Sequence, residues 1–174
     1  MTEPLRLRLG TQKYLVTTLQ SILTAANADI AAKVVSNAAP PVFTVQIGDI
    51  PNPSSPVLSV AFNGAPRPER TAQSEIFRTI RFLIHCYVPL AGDCTPMNYE
   101  MALVTIADHF DNLFLDDTKT QLPRIDAGLI PNLQAFQTDL GDQRSLWPMK
   151  LADNVTEVHG WTVPWSATYS IRTR

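Results

Sequence analysis

The C-terminal stretch of the chain alternates between apolar and polar side chains, and this pattern constrains the fold more than any other. The apolar set is Trp161, Val163, Trp165, Ala167, Tyr169 and Ile171, and the polar set is Thr162, Ser166, Thr168, Ser170 and Arg172. A period of two residues is typical of a strand with one buried face. Because aromatic rings dominate one side, we predict that this strand is held in a sheet and does not fray. A bend is expected just before it, at His159 and Gly160.

A longer strand is predicted over residues 75–88, and it is apolar on both faces. One face carries Ile76, Ile80, Phe82, Ile84, Cys86 and Val88, whereas the other carries Phe77, Leu83 and Tyr87. The second face of a sheet in a monomeric protein is usually polar. We therefore expect Phe77, Leu83 and Tyr87 to be covered by a second layer of the domain or by a neighbouring subunit, and we take them as subunit-interface candidates.

Two segments show the three- and four-residue spacing of amphipathic helices. The first begins at Thr11 and continues past Asn27 either as the same helix or as a second short one. The second begins at Thr95 and Pro96, a hydroxyl N-cap followed by proline at the first helical position. It is expected to end near Asp116.

Shorter apolar runs at residues 42–47 and 57–62 predict two further strands, joined by a proline-containing connection that is too awkward for a tight hairpin. Projecting loops are expected near residues 48–56, 63–72 and 120–150. The order of elements predicts a single α+β domain spanning residues 1–174. In it, two principal helices pack on one face of a mainly antiparallel sheet.

Charged residues are scarce in this chain. Asp, Glu, Lys and Arg make up 17% of it, against about a quarter in an average globular protein. Since the cores of protein interfaces are depleted of charge, this deficit fits a subunit covered by neighbours. It fits a merely quiet composition equally well. The net charge of −2 gives no overall attraction for nucleic acid, so any contact with DNA has to be local.

The N-terminal residues lack the apolar region of a signal peptide, and no apolar run approaches the ~18 residues of a membrane span. Cys86 falls within an apolar strand, where a buried free thiol is the common outcome. We expect the protein to be made and kept in a reducing cytoplasm, with no membrane partner.

The sequence contains no Walker A loop, dinucleotide-binding turn, HExxH, paired CxxC or GxSxG motif. We predict a protein that is not an enzyme, with no catalytic residue, no cofactor and no metal site. The alternative is a small cytoplasmic enzyme or binding module whose site combines dispersed residues such as His85, Asp108 and His109. Asp108 and His109 are otherwise expected on the solvated side of the second helix.

Arginines cluster around the loop before the long strand. They are Arg67, Arg70, Arg78 and Arg81, of which Arg78 and Arg81 point to opposite faces of the strand. One interpretation is solubilising charge and pairing between subunits. The other is a basic loop in the lumen of a ring, where it contacts the phosphates of passing DNA without reading base sequence.

The layout as a whole resembles a known family. The resemblance rests on the opening helix with Tyr14 and Leu19, the strand 77–88, the helix that starts at Thr95 and the ending His-Gly-Trp-Thr-Val-Pro-Trp of residues 159–165. Together these features are similar to the tail terminator, or tail completion, proteins at the head-to-tail junction of tailed bacteriophages.

The resemblance implies a virion structural protein of the tail or neck, assembled in the host cytoplasm without a cofactor. It implies a homohexameric ring that stacks on the last ring of tail tube protein, stops further polymerisation and presents a surface to the head connector. Other neck, connector or baseplate components of the same fold remain the alternative. The resemblance transfers no functional residue to this chain.

Overall fold

The computed structural model describes residues 7–34, 39–50, 53–70, 75–89, 96–114, 124–125, 133–134, 137–150 and 157–172. The helices are α1 (Leu7–Lys33) and α2 (Pro96–Phe114). The strands are β1 (Thr44–Ile47), β2 (Val57–Phe62), β3 (Glu69–Arg70), β4 (Glu75–Pro89), β5 (Arg124–Ile125), β6 (Leu133–Gln134), β7 (Gln137–Leu140), β8 (Arg144–Lys150) and β9 (Glu157–Arg172). The predicted α+β class is confirmed.

The main sheet is built around two long antiparallel strands. Its order is β1-β2-β4-β9-β7, with β3 also pairing with β4 and β8 also pairing with β9. Strands β4 and β9 pair continuously from Glu75 opposite Arg172 to Pro89 opposite Val158. Within this sheet only β1 and β2 run parallel, so the sheet is mainly antiparallel as predicted. Parallel pairing also explains why residues 48–56 do not form a hairpin.

Both helices pack on one face of this sheet. The buried residues of α1 recur at three- and four-residue spacing: Leu7, Thr11, Leu15, Leu19, Leu23, Ala26 and Ile30. They join one core with Ala102, Ile106 and Phe110 of α2 and the inward side chains of β2, β4 and β9. Each fully buried large apolar side chain contributes roughly 1.5–3 kcal/mol. Helix α1 begins before the predicted Thr11 and continues unbroken through Asn27.

A few polar groups are buried inside this core, and each has a partner. The Thr11 hydroxyl lies 3.0 Å from the Tyr169 hydroxyl, and the indole N–H of Trp161 donates to the Leu103 carbonyl at 3.3 Å. Burial raises the pKa of Tyr169 to about 12, so the phenol stays protonated. Cys86 is a buried free thiol, as predicted. Burial raises its pKa well above the ordinary value, which leaves the thiol inert.

The prediction of a loop over residues 120–150 is wrong for its described part. Strand β7 starts with Gln137 opposite Thr168, and β8 starts with Arg144 opposite Thr162. The two strands therefore follow the same edge of β9, one after the other, with a break between them. This pairing is long-range, and prolines and glycines in the segment hide it from a search for local periodicity.

The predicted projecting loop over residues 63–72 is also wrong for its described part. The Asn63 N–H donates to the Arg81 carbonyl at 2.8 Å, and the Arg81 N–H donates to the Gly64 carbonyl at 3.0 Å. Strand β3 then pairs with β4. The segment thus follows the edge of β4 instead of leaving the sheet. The bend predicted at His159 and Gly160 is absent as well, because both lie inside the continuous strand β9.

Asn27 joins α1 to the residue that precedes the edge strand β1. Its side-chain amide donates to the Phe43 carbonyl at 3.1 Å and accepts from the Phe43 N–H at 3.0 Å. We expect Asn27→Ala to lower the free energy of unfolding by about 1–2 kcal/mol, because both hydrogen bonds disappear at a half-buried position. Chemical denaturation followed by circular dichroism measures the loss. Gln20→Ala, at an exposed position of the same helix, is the control, and equal effects of the two substitutions would contradict the assignment.

Candidate assembly surface

The sheet has a second face, opposite the helices, which we call the open face. Its residues on β4 are Phe77, Thr79, Arg81, Leu83, His85 and Tyr87, and those on β9 include Thr162, Pro164, Ser166, Thr168 and Ser170. Most of them are half-buried or exposed, and most are polar. The open face is therefore the surface on which the predicted interface residues have to be judged.

The three subunit-interface candidates lie on this face but differ in exposure. Phe77 and Leu83 are half-buried. Tyr87 is 9% exposed and packs with Val57, Val158 and Ile50 of the same chain. Tyr87 is thus covered mainly from within the subunit, whereas Phe77 and Leu83 keep surface that a neighbour could cover.

The structure separates the four arginines from one another. Arg67 and Arg81 are exposed, whereas the Arg78 guanidinium donates to the Pro66 carbonyl at 3.2 Å. Arg78 lies opposite Tyr169, on the helix-covered face, while Arg81 lies on the open face. The side chain of Arg70 is outside the described residues. The described arginines do not form one basic patch.

A groove of about 320 Å³ crosses the open face next to Arg81. It is lined by Asn63, Thr79, Arg81, Phe82, Asp139, Gly141, Pro164, Trp165 and Ser166. Arg81 and Asp139 are both exposed, and both lie directly opposite Ser166, which separates them. Two strand spacings put their backbones about 10 Å apart. The groove thus presents a cation and an anion on its two sides, with hydroxyl and amide groups between them.

Pro164 and Gly141 create this groove by interrupting the sheet edge. The Gly141 N–H donates to the Pro164 carbonyl at 2.8 Å, so the nitrogen of Pro164 faces the same edge and has no hydrogen to donate. Pairing with β9 stops here and resumes at Arg144. A Cβ atom at Gly141 would overlap the Pro164 ring, and glycine allows the two chains to meet.

A row of polar residues crosses the open face beside the groove, and the sequence analysis missed it. Ser59, His85 and Thr162 lie opposite one another on β2, β4 and β9. Ser59 Oγ, His85 Nδ1 and Thr162 Oγ1 are buried without a hydrogen-bond partner. Burial lowers the pKa of His85, and the nearby carboxylate of Asp49 opposes this shift. The strand pairing that forms the row is not encoded in any local pattern.

We expect acidification to destabilise the protein through His85. Its pKa in the folded chain lies below the ordinary 6.5, so the unfolded chain takes up a proton first as the pH falls. The contribution of His85 to the free energy of unfolding is therefore complete above pH 6.5 and is lost below it. Denaturant titrations from about pH 8 to about pH 5 measure the loss. His85→Gln should flatten this part of the profile, and an unchanged profile would contradict the assignment.

The residues of the alternative enzymatic site are not brought together. His85 lies on the open face, whereas His109 lies on α2 with its Nε2 atom 2.7 Å from Asp29 Oδ2 of α1. Asp108 is exposed on α2. The described residues contain no group of three or more His, Cys, Asp or Glu side chains that could hold a metal ion.

Neither helix in the described part of the chain is long and apolar enough to cross a membrane. Comparison with models of known protein families and with curated protein sequences finds no match.

Proposed function

We propose that the protein is a structural ring subunit of a bacteriophage tail, the tail terminator that caps the tail tube and joins it to the head connector. The role is carried by surfaces, without catalysis or a cofactor. Its partners are further copies of the chain in a homohexameric ring, the tail tube protein and the head connector or neck proteins. Its location is the tail or neck of the virion, after assembly in the host cytoplasm.

The observation that carries the proposal is the partly exposed open face of the sheet. Helices α1 and α2 cover one face, while Phe77 and Leu83 stay half-buried on the other, beside a polar groove. A ring needs two different, complementary surfaces on each subunit, because each copy meets the next head to tail. The open face supplies one surface that is chemically unlike the helix layer. The scarcity of charge agrees with extensive coverage by neighbours.

The terminator role itself, as opposed to another neck, connector or baseplate role, rests on the resemblance in layout. The α+β architecture, with two helices on one face of a mainly antiparallel sheet, supports that resemblance. An enzymatic role gains no support from the separation of His85 and His109.

Electron microscopy of phage particles that lack this chain tests the proposal. Abnormally long tails are expected, because nothing stops the polymerisation of the tail tube. Headless tails of normal length would point to a head-joining role, and absent tails to a baseplate role. Either of these results would overturn the terminator assignment, and normal infectious particles would overturn the structural role altogether. Expression of the intact chain in trans is the control and should restore normal tails.

A further inference from the structure

Two charged residues on the edge of the sheet match the two charges in the groove. Arg67 and Glu69 are exposed, as are Arg81 and Asp139. None of these four side chains makes an ion pair or a hydrogen bond within the described part of the chain. Four unpaired charges on one side of a charge-poor protein are available for pairing between molecules.

The segment that carries Arg67 and Glu69 is held at the sheet edge. Glu69 lies opposite Phe77 of β4, an open-face residue. Arg67 lies two residues earlier, which places its backbone about 7 Å away along an extended chain. Pro68 stands between them and restricts the backbone, so little conformational entropy is lost when the segment binds.

The groove of the same molecule is out of reach for this segment. Phe77, which faces Glu69, is four residues from Arg81 on β4, a distance of about 13 Å along a strand. Asp139 lies two further strands across, on β7. Any pairing between the segment and the groove therefore joins two molecules.

We propose that the groove binds residues 67–69 of a second copy of the chain. The Glu69 carboxylate pairs with the Arg81 guanidinium of the neighbouring molecule, and the Arg67 guanidinium pairs with its Asp139 carboxylate. The hydroxyl groups of Thr79 and Ser166 and the Asn63 amide line the same groove and offer hydrogen bonds to the bound backbone. The contact joins two different surfaces, so repeating it builds a closed ring or an open filament. This inference rests on the self-association in the proposed function.

Charge reversal tests the contact on the full-length protein by sedimentation velocity over a range of concentrations. The wild-type chain is expected to self-associate, and added salt should weaken the association because it screens exposed charges. Arg81→Glu and Glu69→Arg should each weaken association at least about tenfold, since each places like charges together. The double variant with both changes in one chain should regain most of the wild-type association, because the pair is restored with reversed polarity.

Arg144→Glu is the matched control. Arg144 is an exposed arginine on β8, next to the groove but not part of its lining, and its reversal should leave association unchanged. Circular dichroism of every variant verifies that the fold is kept. The inference is overturned if Arg81→Glu associates like the wild type, if the double variant stays as dissociated as the single ones, or if the wild type remains a monomer at every concentration.

The same variants separate this inference from the proposed function. If charge reversal abolishes self-association while particles lacking the chain have normal tails, the contact stands and the terminator role falls. If particles lacking the chain have long tails and the reversed-charge variants assemble normally, the role stands and the contact falls.

Discussion

Trp161→Ala is expected to lower the free energy of unfolding by about 4 kcal/mol, the loss typical of truncating a large buried aromatic residue. The Trp161 side chain is 3% exposed. Its ring lies 5.5 Å from that of Phe110 of α2 in an edge-to-face arrangement. Its indole N–H donates to the Leu103 carbonyl. The substitution therefore opens a cavity between the central strand pair and α2, and it removes a hydrogen bond.

Two substitutions make this result specific. Trp161→Phe keeps an aromatic ring but cannot donate a hydrogen bond, so we expect a smaller loss of roughly 1–2 kcal/mol. Thr162→Ala, one residue further on and facing the other way, removes an unpartnered hydroxyl and should leave stability unchanged or raise it. Denaturant titration followed by far-ultraviolet circular dichroism compares the three. A loss below about 1 kcal/mol in Trp161→Ala would contradict the packing of α2 against β9.

Gly160→Ala is expected to lower the free energy of unfolding by roughly 3 kcal/mol, although it adds only a methyl group. A Cβ atom at Gly160 would overlap the carbonyl oxygen of Cys86, and it would lie 3.1 Å from the carbonyl carbon of Cys86 and from Cδ1 of Tyr87. The obstacle is mainly backbone in a central strand, so relief requires β4 and β9 to separate locally. Without this obstacle, replacing glycine by alanine commonly stabilises a protein by about 0.4–1 kcal/mol through the unfolded chain.

The sign of the change is therefore the diagnostic result. Ser170→Ala serves as the control, because Ser170 lies on the same strand and the same face as Gly160 but is half-buried near its other end. We expect that substitution to change stability by less than about 0.5 kcal/mol. Thermal and chemical unfolding of both variants measure the difference. A Gly160→Ala protein as stable as the wild type would mean that β4 and β9 do not approach as closely as described.

Much of the fold follows from local periodicity. The spacing of Leu15, Leu19 and Leu23 predicts the buried face of α1, because side chains four residues apart share one side of a helix. The alternation around Trp161 and Trp165 likewise predicts which side of β9 is buried. These are properties of a single element, and any chain segment with such a pattern has one apolar face to bury.

The candidate assembly surface was only partly predictable. Leu83 was recognised because an apolar side chain on a second sheet face is unusual, and the structure places it on the open face. The groove beside it escaped prediction, because Arg81 and Asp139 come from strands distant in the sequence that both pair with β9. The burial of Tyr87 by Ile50 likewise depends on how the connection after β1 returns over the sheet.

The sequence by itself determined the two helices, the two long strands, the antiparallel α+β class and the sides of these elements that face the core. It could do so because amphipathic periodicity is a local property, repeated every few residues. Only the tertiary structure decided that β7 and β8 line the edge of β9, that Gly160 meets the Cys86 backbone and that unpaired charges surround a groove. Those features arise where residues far apart in the chain are brought together, and no local pattern specifies that pairing.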